Sequence, residues 1–389
     1  MATLKSLTRE ALEPLPFIDL AAQRERIKDR IEAAVAEVLA GGQFVLGPQV
    51  ESLESALAEF CGANHCVSCA SGTDALTLVL MAEGIGMGDA VFVPSFTFVA
   101  TAESVALRGA TPVFVDIDAD TFNMNPASLA RAIDAARGVG LAPRMIIAVD
   151  LFGQPADYDA LGNLAREHGL LVVADAAQSF GAKLDGRNVG VLADYTTTSF
   201  FPAKPLGCYG DGGAVFVEAG DKDALLRSLR FHGKGAHQYE NIHVGLNSRL
   251  DTLQAAILLA KLKVFPVEIE ERQIVAGRYS ELLRGVSTPR LPDGVDSVWA
   301  QYTIRLPENT NREAVQAHCA AAGVPTAVYY ATPLHRQRAY SDYPRDPEGL
   351  PQSEAAASDV LSLPMHPYLT ATTQARIAET LAAAIRAVA

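Results

Sequence analysis

The sequence predicts an α/β fold, in which a large domain with a mostly parallel seven-stranded sheet flanked by helices precedes a smaller C-terminal α+β domain. Between residues 65 and 217, short apolar runs alternate with helical patterns, as in sheets whose strands are buried on both faces. After residue 297 the pattern becomes an alternating strand followed by amphipathic helices. A chain of 389 residues is too long for one compact core, so about two domains are expected.

The sheet is predicted from apolar runs of strand length. The seven predicted strands are His65–Cys69, Ala90–Pro94, Pro112–Val115, Met145–Val149, Leu170–Asp175, Tyr195–Phe200 and Ala214–Val217. Most are separated by helical patterns, at 72–83, 97–107, 126–136 and 157–168. Helical crossovers of this kind connect parallel strands. The last two strands are instead joined by a Gly-rich loop without a helix, which suits an antiparallel pair.

Helical patterns also stand before and after the predicted sheet. Residues 21–40 and about 50–60 have the apolar spacing of amphipathic helices. A strongly helical stretch from 248 to 283, broken near Pro266, predicts a long connection to a second domain.

The remainder of the chain reads as a small α+β domain. Residues 298–306 alternate between apolar and polar, as in a half-buried strand, and helices near 311–322 and 371–388 would pack on it. We therefore expect a large domain over 1–248, and a linking helix with a small domain over 249–389.

The charge and hydropathy of the sequence exclude some classes of binding partner. The formal net charge is −13, and a surface this acidic repels nucleic acid and anionic membranes. No apolar run approaches the ~20 residues needed to cross a bilayer. Lys5 and Arg9 are not followed by the apolar stretch of a secretory signal. The sequence thus predicts a cytoplasmic protein with neither nucleic-acid nor membrane partners.

The five cysteines predict neither disulfides nor a metal site. Cys66 and Cys69 form a C-x-x-C, but a zinc site would need a second pair or histidines at ligand spacing. A redox pair usually opens a helix, whereas these two lie in an apolar strand. Buried apolar thiols are the favoured interpretation. His232, His237 and His243 are irregularly spaced, so no metal is predicted.

The first segment that points to chemistry is Ser71-Gly72-Thr73, where a predicted strand gives way to a helix. Free backbone N–H groups, a hydroxyl and the positive end of the helix dipole make such a turn a phosphate site. Helix capping alone is the competing interpretation, because Ser and Thr are common caps.

The second segment is the strand that ends at Asp175. Ligands of open α/β sheets bind at the carboxyl ends of strands, and an acid there is poorly solvated without a partner. A protonated ring nitrogen would be such a partner. A helix-capping role for Asp175 is the alternative.

The third segment contains Lys204, which follows another strand end among apolar neighbours. A lysine kept from water loses proton affinity and becomes a usable amine nucleophile. The glycines of residues 210–213 let the backbone turn closely past a ligand. Lys183, in a polar turn, is the nearest competitor and is expected to be exposed. Together, an anion cradle, an acid and a lysine in this order predict a pyridoxal-phosphate site.

Longer motifs surround these residues. They are SGTDAL at 71–76, PSFTFVAT at 94–101, DAAQSFGA at 175–182, SFFPAKPLGCYGDGGA at 199–214 and GLNSRLDTLQAA at 245–256. In them, and in nearly the whole chain from Pro16 on, the sequence resembles the sugar aminotransferases of the DegT/StrS family, within the fold type I pyridoxal-phosphate enzymes. The resemblance implies a fold type I aminotransferase with pyridoxal 5'-phosphate as cofactor.

The resemblance also assigns the cofactor contacts. It implies that Gly72, Thr73 and Ser199 hold the phosphate. It implies that Asp175 pairs with the pyridine nitrogen and that Lys204, the catalytic residue, bonds to the cofactor.

Three further residues are assigned in the same way. The resemblance places Gln178 near the ring hydroxyl and Phe98 where an aromatic side chain stacks on the cofactor ring. Asn247 resembles the residue that reaches the phosphate from the other subunit, which implies a homodimer with shared active sites.

The substrates are implied by the same resemblance. Arg249, Tyr330, His335 and Phe201 fall in regions that the family uses around a nucleotide sugar. Members with His in place of the lysine are sugar dehydratases, so Lys204 favours transamination. The motifs are most similar to the branch that acts on 3-keto sugars such as UDP-2-acetamido-3-keto-glucuronic acid, with L-glutamate as the expected donor. The alternatives are a 4-keto-6-deoxy nucleotide sugar, sulfur abstraction from cysteine and a non-catalytic regulator that binds pyridoxal phosphate.

Overall fold

A computed structural model of the chain describes residues 14–237 and 239–388. Its strands are β1 (His65–Cys69), β2 (Asp89–Pro94), β3 (Thr111–Val115), β4 (Ala142–Val149), β5 (Leu171–Asp175), β6 (Lys183–Leu184), β7 (Arg187–Asn188), β8 (Tyr195–Ser199), β9 (Gly213–Val217), β10 (Val295–Asp296), β11 (Tyr302–Arg305) and β12 (Val360–Leu363). All seven strands predicted for the large sheet are confirmed, with ends that shift by at most three residues.

The central sheet has the strand order β1-β9-β8-β5-β4-β2-β3. The five strands from β8 to β3 are parallel to one another. β9 runs antiparallel to both β1 and β8. The predicted antiparallel pair is therefore present, because the loop from β8 to β9 reverses the chain where the other connections use helices.

Helices cover both faces of the sheet and form most of the C-terminal part. They are α1 (Leu20–Arg26), α2 (Lys28–Gly41), α3 (Pro48–Cys61), α4 (Gly72–Ala82), α5 (Ala100–Leu107), α6 (Pro126–Gly138), α7 (Tyr158–His168), α8 (Gly220–Leu229), α9 (Thr252–Leu262), α10 (Phe265–Leu282), α11 (Arg312–Ala321), α12 (Pro351–Asp359) and α13 (Ala371–Val388). None of them is long and apolar enough to cross a membrane.

Two predicted helices are each divided in the structure. The helix predicted over 21–40 is α1 and α2, which meet at Ile27. The helical stretch from 248 to 283 is α9 and α10, and its break lies at residues 263–264. Pro266 lies in the first turn of α10, where a missing N–H costs no hydrogen bond, so it begins the second helix.

The two faces of the sheet have separate hydrophobic cores. The two cysteines of the C-x-x-C motif lie in different ones. Cys66 belongs to the core beneath α3 and α9, while Cys69 belongs to the core beneath α4 and α5. Both thiols are buried and free. The interpretation as buried apolar side chains pointing to opposite faces is confirmed.

The C-terminal part has its own core between α10, α11, α13 and the β11–β12 pair. The strand predicted over 298–306 is shorter than expected, since β11 covers only Tyr302–Arg305. Trp299 has a positive φ of 50°, which breaks the extended backbone before β11, and its ring packs into this core. α9 packs with the large sheet instead. The division into domains at 1–248 and 249–389 stays a proposal.

A buried charge cluster joins α3, β1 and α8. Glu54 accepts hydrogen bonds from the backbone N of Ser68 at 2.9 Å, from the Ser68 hydroxyl at 2.7 Å and from Arg227 at 2.6 Å. Arg230 is also buried and donates to Glu54 and to the Ser68 carbonyl. Burial opposes ionisation of Glu54, but the charges of Arg230 and Arg227 outweigh it and keep the pKa of this carboxyl below its ordinary value.

Glu54→Gln is expected to destabilise the fold by about 3 kcal/mol, because it leaves the buried Arg230 without an opposite charge. Urea unfolding at pH 7 measures this loss. Glu51→Gln is the control on the exposed face of α3, and we expect it to stay within about 0.5 kcal/mol of wild type. The difference between wild type and Glu54→Gln should shrink as the pH falls below 4.5 toward the folded-state pKa of Glu54, since only the carboxylate stabilises the cluster. If Glu54→Gln were as stable as Glu51→Gln at pH 7, the Glu54 charge would not stabilise the fold.

Candidate active site

The carboxyl ends of three strands meet at one edge of the sheet. Gly213, the first residue of β9, lies opposite both Cys69 at the end of β1 and Ser199 at the end of β8. Asp175 ends β5, on the other side of β8. Lys204 lies in the loop that joins β8 to β9. This is the edge at which open α/β sheets bind ligands.

The turn at the start of α4 is built to approach Ser199. The Ser71 hydroxyl caps the helix by accepting a hydrogen bond from the backbone N of Asp74 at 3.1 Å. The N–H groups of Gly72 and Thr73 are in the first turn, where a helix supplies no partner and its dipole favours an anion. A Cβ on Gly72 would lie 2.7 Å from the Ser199 Cβ, so glycine is required there. Capping by Ser71 and anion binding by the next two residues are therefore compatible.

Asp175 is buried, with its carboxylate facing the site. It accepts hydrogen bonds from the backbone N of Ala177 at 3.1 Å and from the Thr101 hydroxyl at 3.3 Å. Burial raises the pKa of this carboxyl, while the Ala177 N–H, the nearby charge of Lys204 and the Thr101 hydroxyl oppose the rise. A cation bound against Asp175 would keep it ionised.

Lys204 is held in a tight loop whose backbone folds back on β8. Its backbone N donates to the Phe201 carbonyl at 2.8 Å, and the backbone N of Cys208 donates to the Phe200 carbonyl at 2.8 Å. Burial lowers the pKa of the Lys204 amine, and the charge of Asp175 opposes this. The amine is thus shifted toward its neutral, nucleophilic form in the neighbourhood of an acid. Lys183, by contrast, is exposed as expected.

Gln178, Tyr330 and Phe98 lie together beside Asp175. The Gln178 amide accepts a hydrogen bond from the backbone N of Phe152 at 2.9 Å and donates to the Tyr330 hydroxyl at 3.4 Å. The ring of Phe98 is 6.5 Å from that of Tyr330, and 54% of its surface is exposed. An aromatic ring this open at the edge of the site is free to cover a planar ligand.

The residues predicted to contact the substrate or to come from a second subunit lie at the rim. Arg249 stacks on Phe231, with its guanidinium carbon 4.9 Å from the ring centre. The competing role for Arg249, an intrachain ion pair, is absent within the described ranges 14–237 and 239–388. Phe201 is 52% exposed, and Asn247 is exposed as well.

His335 differs from the other predicted substrate residues because its polar atoms already have partners within the protein. Both of its ring nitrogens lie at hydrogen-bond distance from other side chains. Nδ1 lies 2.7 Å from the Ser95 hydroxyl, and Nε2 lies 3.0 Å from Glu354 on α12. The ring is only 2% exposed. This geometry favours a role in fixing the segment that carries Tyr330 against the end of β2. Contact of His335 with a sugar stays a prediction.

Two polar residues of the site were not singled out from the sequence. Thr101 donates to Asp175 from the first turn of α5. Asp150 follows β4 as a fully buried acid and accepts hydrogen bonds from Tyr158 and Ser179, both at 2.7 Å. Burial raises the pKa of Asp150 to about 7. The sequence carries a signal for Asp150, because it directly follows an apolar strand, much as Asp175 is the last residue of one.

These residues fit pyridoxal phosphate. The glycine at position 72 lets the first turn of α4 approach the Ser199 side chain, so free helix N–H groups and a hydroxyl lie side by side. Among the described residues, the buried Asp175 has no cation within ion-pair distance, and the amine of Lys204 is desolvated. The phosphate, the protonated pyridine nitrogen and the aldehyde of the cofactor would meet these three groups in turn.

Comparison with known proteins decides the family. Residues 25–382 match the DegT/DnrJ/EryC1/StrS aminotransferase family. The chain belongs to this family. The predicted resemblance, the fold type and the aminotransferase assignment are confirmed. The predicted cofactor, pyridoxal phosphate, is confirmed as well, because solved relatives carry it or its amino form.

Relatives with assigned names are similar over nearly their full length. A UDP-2-acetamido-2-deoxy-3-oxo-D-glucuronate aminotransferase of Pseudomonas aeruginosa is 51% identical, over 91% of this chain and 96% of that protein. A UDP-N-acetyl-3-dehydro-alpha-D-glucosamine 3-aminotransferase of Acidithiobacillus ferrooxidans is 41% identical, over 94% of this chain and 96% of that protein.

Solved structures agree with the fold. A DegT DnrJ EryC1 StrS aminotransferase from Brucella abortus has a TM-score of 0.93 at 50% identity, covering 95% of this chain and 99% of that one. A Bacillus subtilis protein solved with bound pyridoxamine phosphate (PMP) has a TM-score of 0.87 at 29% identity, covering 97% and 86%.

Asp175→Asn is expected to slow the half-reaction with L-glutamate by at least about 100-fold, since an amide has no negative charge to keep a ring nitrogen protonated. Single-turnover absorbance of the loaded enzyme measures the rate. Thr101→Val removes one long hydrogen bond to the same carboxylate but leaves its charge, so it should cost about tenfold or less. If Asp175→Asn reacted as fast as wild type, Asp175 would not be the partner of the ring nitrogen.

Proposed function

We propose that this aminotransferase moves the amino group of L-glutamate to the 3-keto position of a UDP-linked 2-acetamido-glucuronic acid, with pyridoxal phosphate held on Lys204. The observation that carries the chemistry is the meeting of the Lys204 amine and the Asp175 carboxylate at the carboxyl edge of the sheet, each shifting the pKa of the other. The 51% identity to an aminotransferase of this named substrate supports the choice of sugar.

Lys204 would act twice at the site. When bound, pyridoxal phosphate supplies an electron sink for the pair left behind when an amino acid loses its α-proton. The Nζ of Lys204 would take that proton as a neutral base, because burial lowers its pKa. As an ammonium, Lys204 would then act as the acid that gives the proton back within the same site. The same steps in reverse would deliver the amino group to the keto sugar.

The other side chains would bind and orient the reacting groups. The N–H groups of Gly72 and Thr73, with the Ser199 hydroxyl beside them, would hold the phosphate. Asp175 would hold the proton on the ring nitrogen. Gln178 would bind the ring hydroxyl, and its hydrogen bond from the Phe152 N–H fixes the amide in place.

We propose a homodimer in which Asn247 reaches the phosphate of the partner's site. Support comes from the segment just before it, where Tyr239, Ile242 and Val244 are 90%, 58% and 89% exposed. Apolar side chains this open mark a surface that another protein covers. A cytoplasmic location stays a prediction from the sequence.

The sugar nucleotide would bring a diphosphate to a chain whose net charge is −13. Arg249 and Lys234 lie on the ring of Phe231, at 4.9 Å and 5.1 Å from its centre. Neither has a carboxylate within ion-pair distance among the described residues. Two such cations beside an exposed cleft of about 530 Å³ suit an anionic group.

The rival reactions find less support. Sulfur abstraction needs a reactive thiol, but burial raises the pKa of Cys208 and Cys319 to about 11. A 4-keto-6-deoxy sugar is the main competing acceptor, and it lacks the carboxylate of a glucuronic acid. A non-catalytic regulator would bind the cofactor without turning over donors.

The first test compares wild type with Lys204→Ala, each loaded with pyridoxal phosphate, by visible absorption before and after L-glutamate. We expect wild type to show the band of cofactor bonded to Lys204 and to lose it with glutamate, as the amino group is transferred. Lys204→Ala should bind the cofactor without that band. A wild-type band that persists with every amino donor would favour the regulator.

Arg249→Ala is expected to raise the Michaelis constant for the UDP sugar by about 10- to 100-fold, since one charged contact to a phosphate contributes roughly 1.5–3 kcal/mol. The half-reaction with L-glutamate should be unchanged. Arg284→Ala, at an exposed position after α10, is the matched control. An unaltered Michaelis constant for Arg249→Ala would remove this residue from the substrate site.

A further inference from the structure

A second lysine lies buried directly behind the Lys204 loop. Lys261, on α9, is 1% exposed. Its Nζ donates a hydrogen bond to the Gly207 carbonyl at 2.6 Å and lies 4.3 Å from the centre of the Tyr209 ring. In residues 14–237 and 239–388, no carboxylate lies within ion-pair distance of this ammonium.

Burying a lysine in this way costs stability. Burial lowers the pKa of Lys261 to about 8, and the more distant charge of Glu268 on α10 only partly opposes it. Because the unfolded chain binds this proton more tightly, the group is a net cost to folding at neutral pH, and the cost fades as the pH rises above 8. A methionine of similar length would pack at this position without this cost to folding. The lysine therefore needs an explanation other than stability.

The hydrogen bond and the aromatic contact of the Lys261 ammonium are both with the loop that carries Lys204. A Cβ on Gly207 would lie 2.5 Å from the Pro202 carbonyl oxygen and 2.7 Å from that of Phe201, so Gly207 packs against the turn that holds the Lys204 backbone. The carbonyl that Lys261 binds thus belongs to the same tight turn.

α9 holds the loop at a second point. Gln254, two turns before Lys261, accepts a hydrogen bond from the backbone N of Tyr209 at 2.8 Å. The loop is therefore fixed to one rigid helix by Gly207 and by Tyr209, a few residues after Lys204.

We propose that Lys261 is a positioning residue for Lys204: its ammonium, bound to the Gly207 carbonyl and the face of Tyr209, fixes the 204–209 loop so that the Lys204 amine stays aligned for proton transfer. This inference rests on the proposed role of Lys204. The proposed role explains why Lys261 is buried without a carboxylate partner among the described residues, since its ammonium is the group that binds the Gly207 carbonyl.

The test compares Lys261→Met with wild type in single turnovers of the loaded, full-length enzyme with L-glutamate. We expect the rate constant of the half-reaction to fall by about 30-fold, because small misplacements of a reacting group cost up to about 100-fold. The apparent glutamate dissociation constant should change less than about threefold, since Lys261 does not touch the donor. The melting temperature should not fall.

Lys263→Met is the control, because this lysine is exposed one position beyond α9. Lys261→Arg keeps a cationic donor and is expected to recover most of the rate. Gln254→Ala removes the hydrogen bond that holds the same loop at Tyr209, so it should also slow the half-reaction. This variant provides the test if Lys261→Met does not fold.

Three results are distinguishable. If wild type shows no half-reaction with any donor, the proposed function fails first. If wild type reacts and Lys261→Met matches Lys263→Met in rate, the positioning role is overturned. A slow Lys261→Met whose melting temperature falls in proportion, with no rescue by Lys261→Arg, would also overturn it in favour of a purely structural lysine.

Discussion

The geometry of the site depends on one reversed strand. Because β9 runs antiparallel between β1 and β8, its start, rather than its end, lies among the carboxyl ends of its neighbours. The loop that leaves β8 must return over this edge to begin β9, and Lys204 is in that loop. Gly213 makes the return fit, since a Cβ there would overlap the Ser71 carbonyl. Lys204 thus lies at the carboxyl edge of the sheet as a consequence of strand direction.

Burial then sets the protonation states at this edge. Desolvation pushes Lys204 toward its neutral amine and Asp175 toward its neutral acid, while each charge opposes the change in the other. A bound cofactor with a protonated ring nitrogen would give Asp175 the cation it lacks and leave the lysine to exchange protons. Asp150 follows the neighbouring strand β4, and no cation lies within ion-pair distance of it among the described residues. Hydrogen bonds from Ala156, Tyr158 and Ser179 offset part of the cost of burying its carboxyl.

Much of this was predictable from local pattern. The buried strands are continuous apolar runs, and the polar residues that end them mark the ligand edge, so Asp175 and Lys204 could be found without the structure. The same pattern marks Asp150, which the sequence prediction did not include. The positive φ of Trp299 could not be predicted from the sequence, because the surrounding residues alternate as in a strand and the ring packs against α10 in the folded structure. The occupied nitrogens of His335 also depend on partners far away in the chain, Ser95 and Glu354 among them.

Two kinds of partner stabilise cations within the described part of this acidic chain, carboxylates and aromatic rings. Arg230 is buried against Glu54, and Arg305 is held by Asp359 at 2.8 Å. Such pairs contribute no free positive charge. Arg249 and Lys261 instead use aromatic faces and, for Lys261, a carbonyl, so their charge is not neutralised by a described carboxylate. Aromatic faces hold a cation without cancelling its field, so Arg249 keeps a positive charge at the rim of the site in a chain of net charge −13.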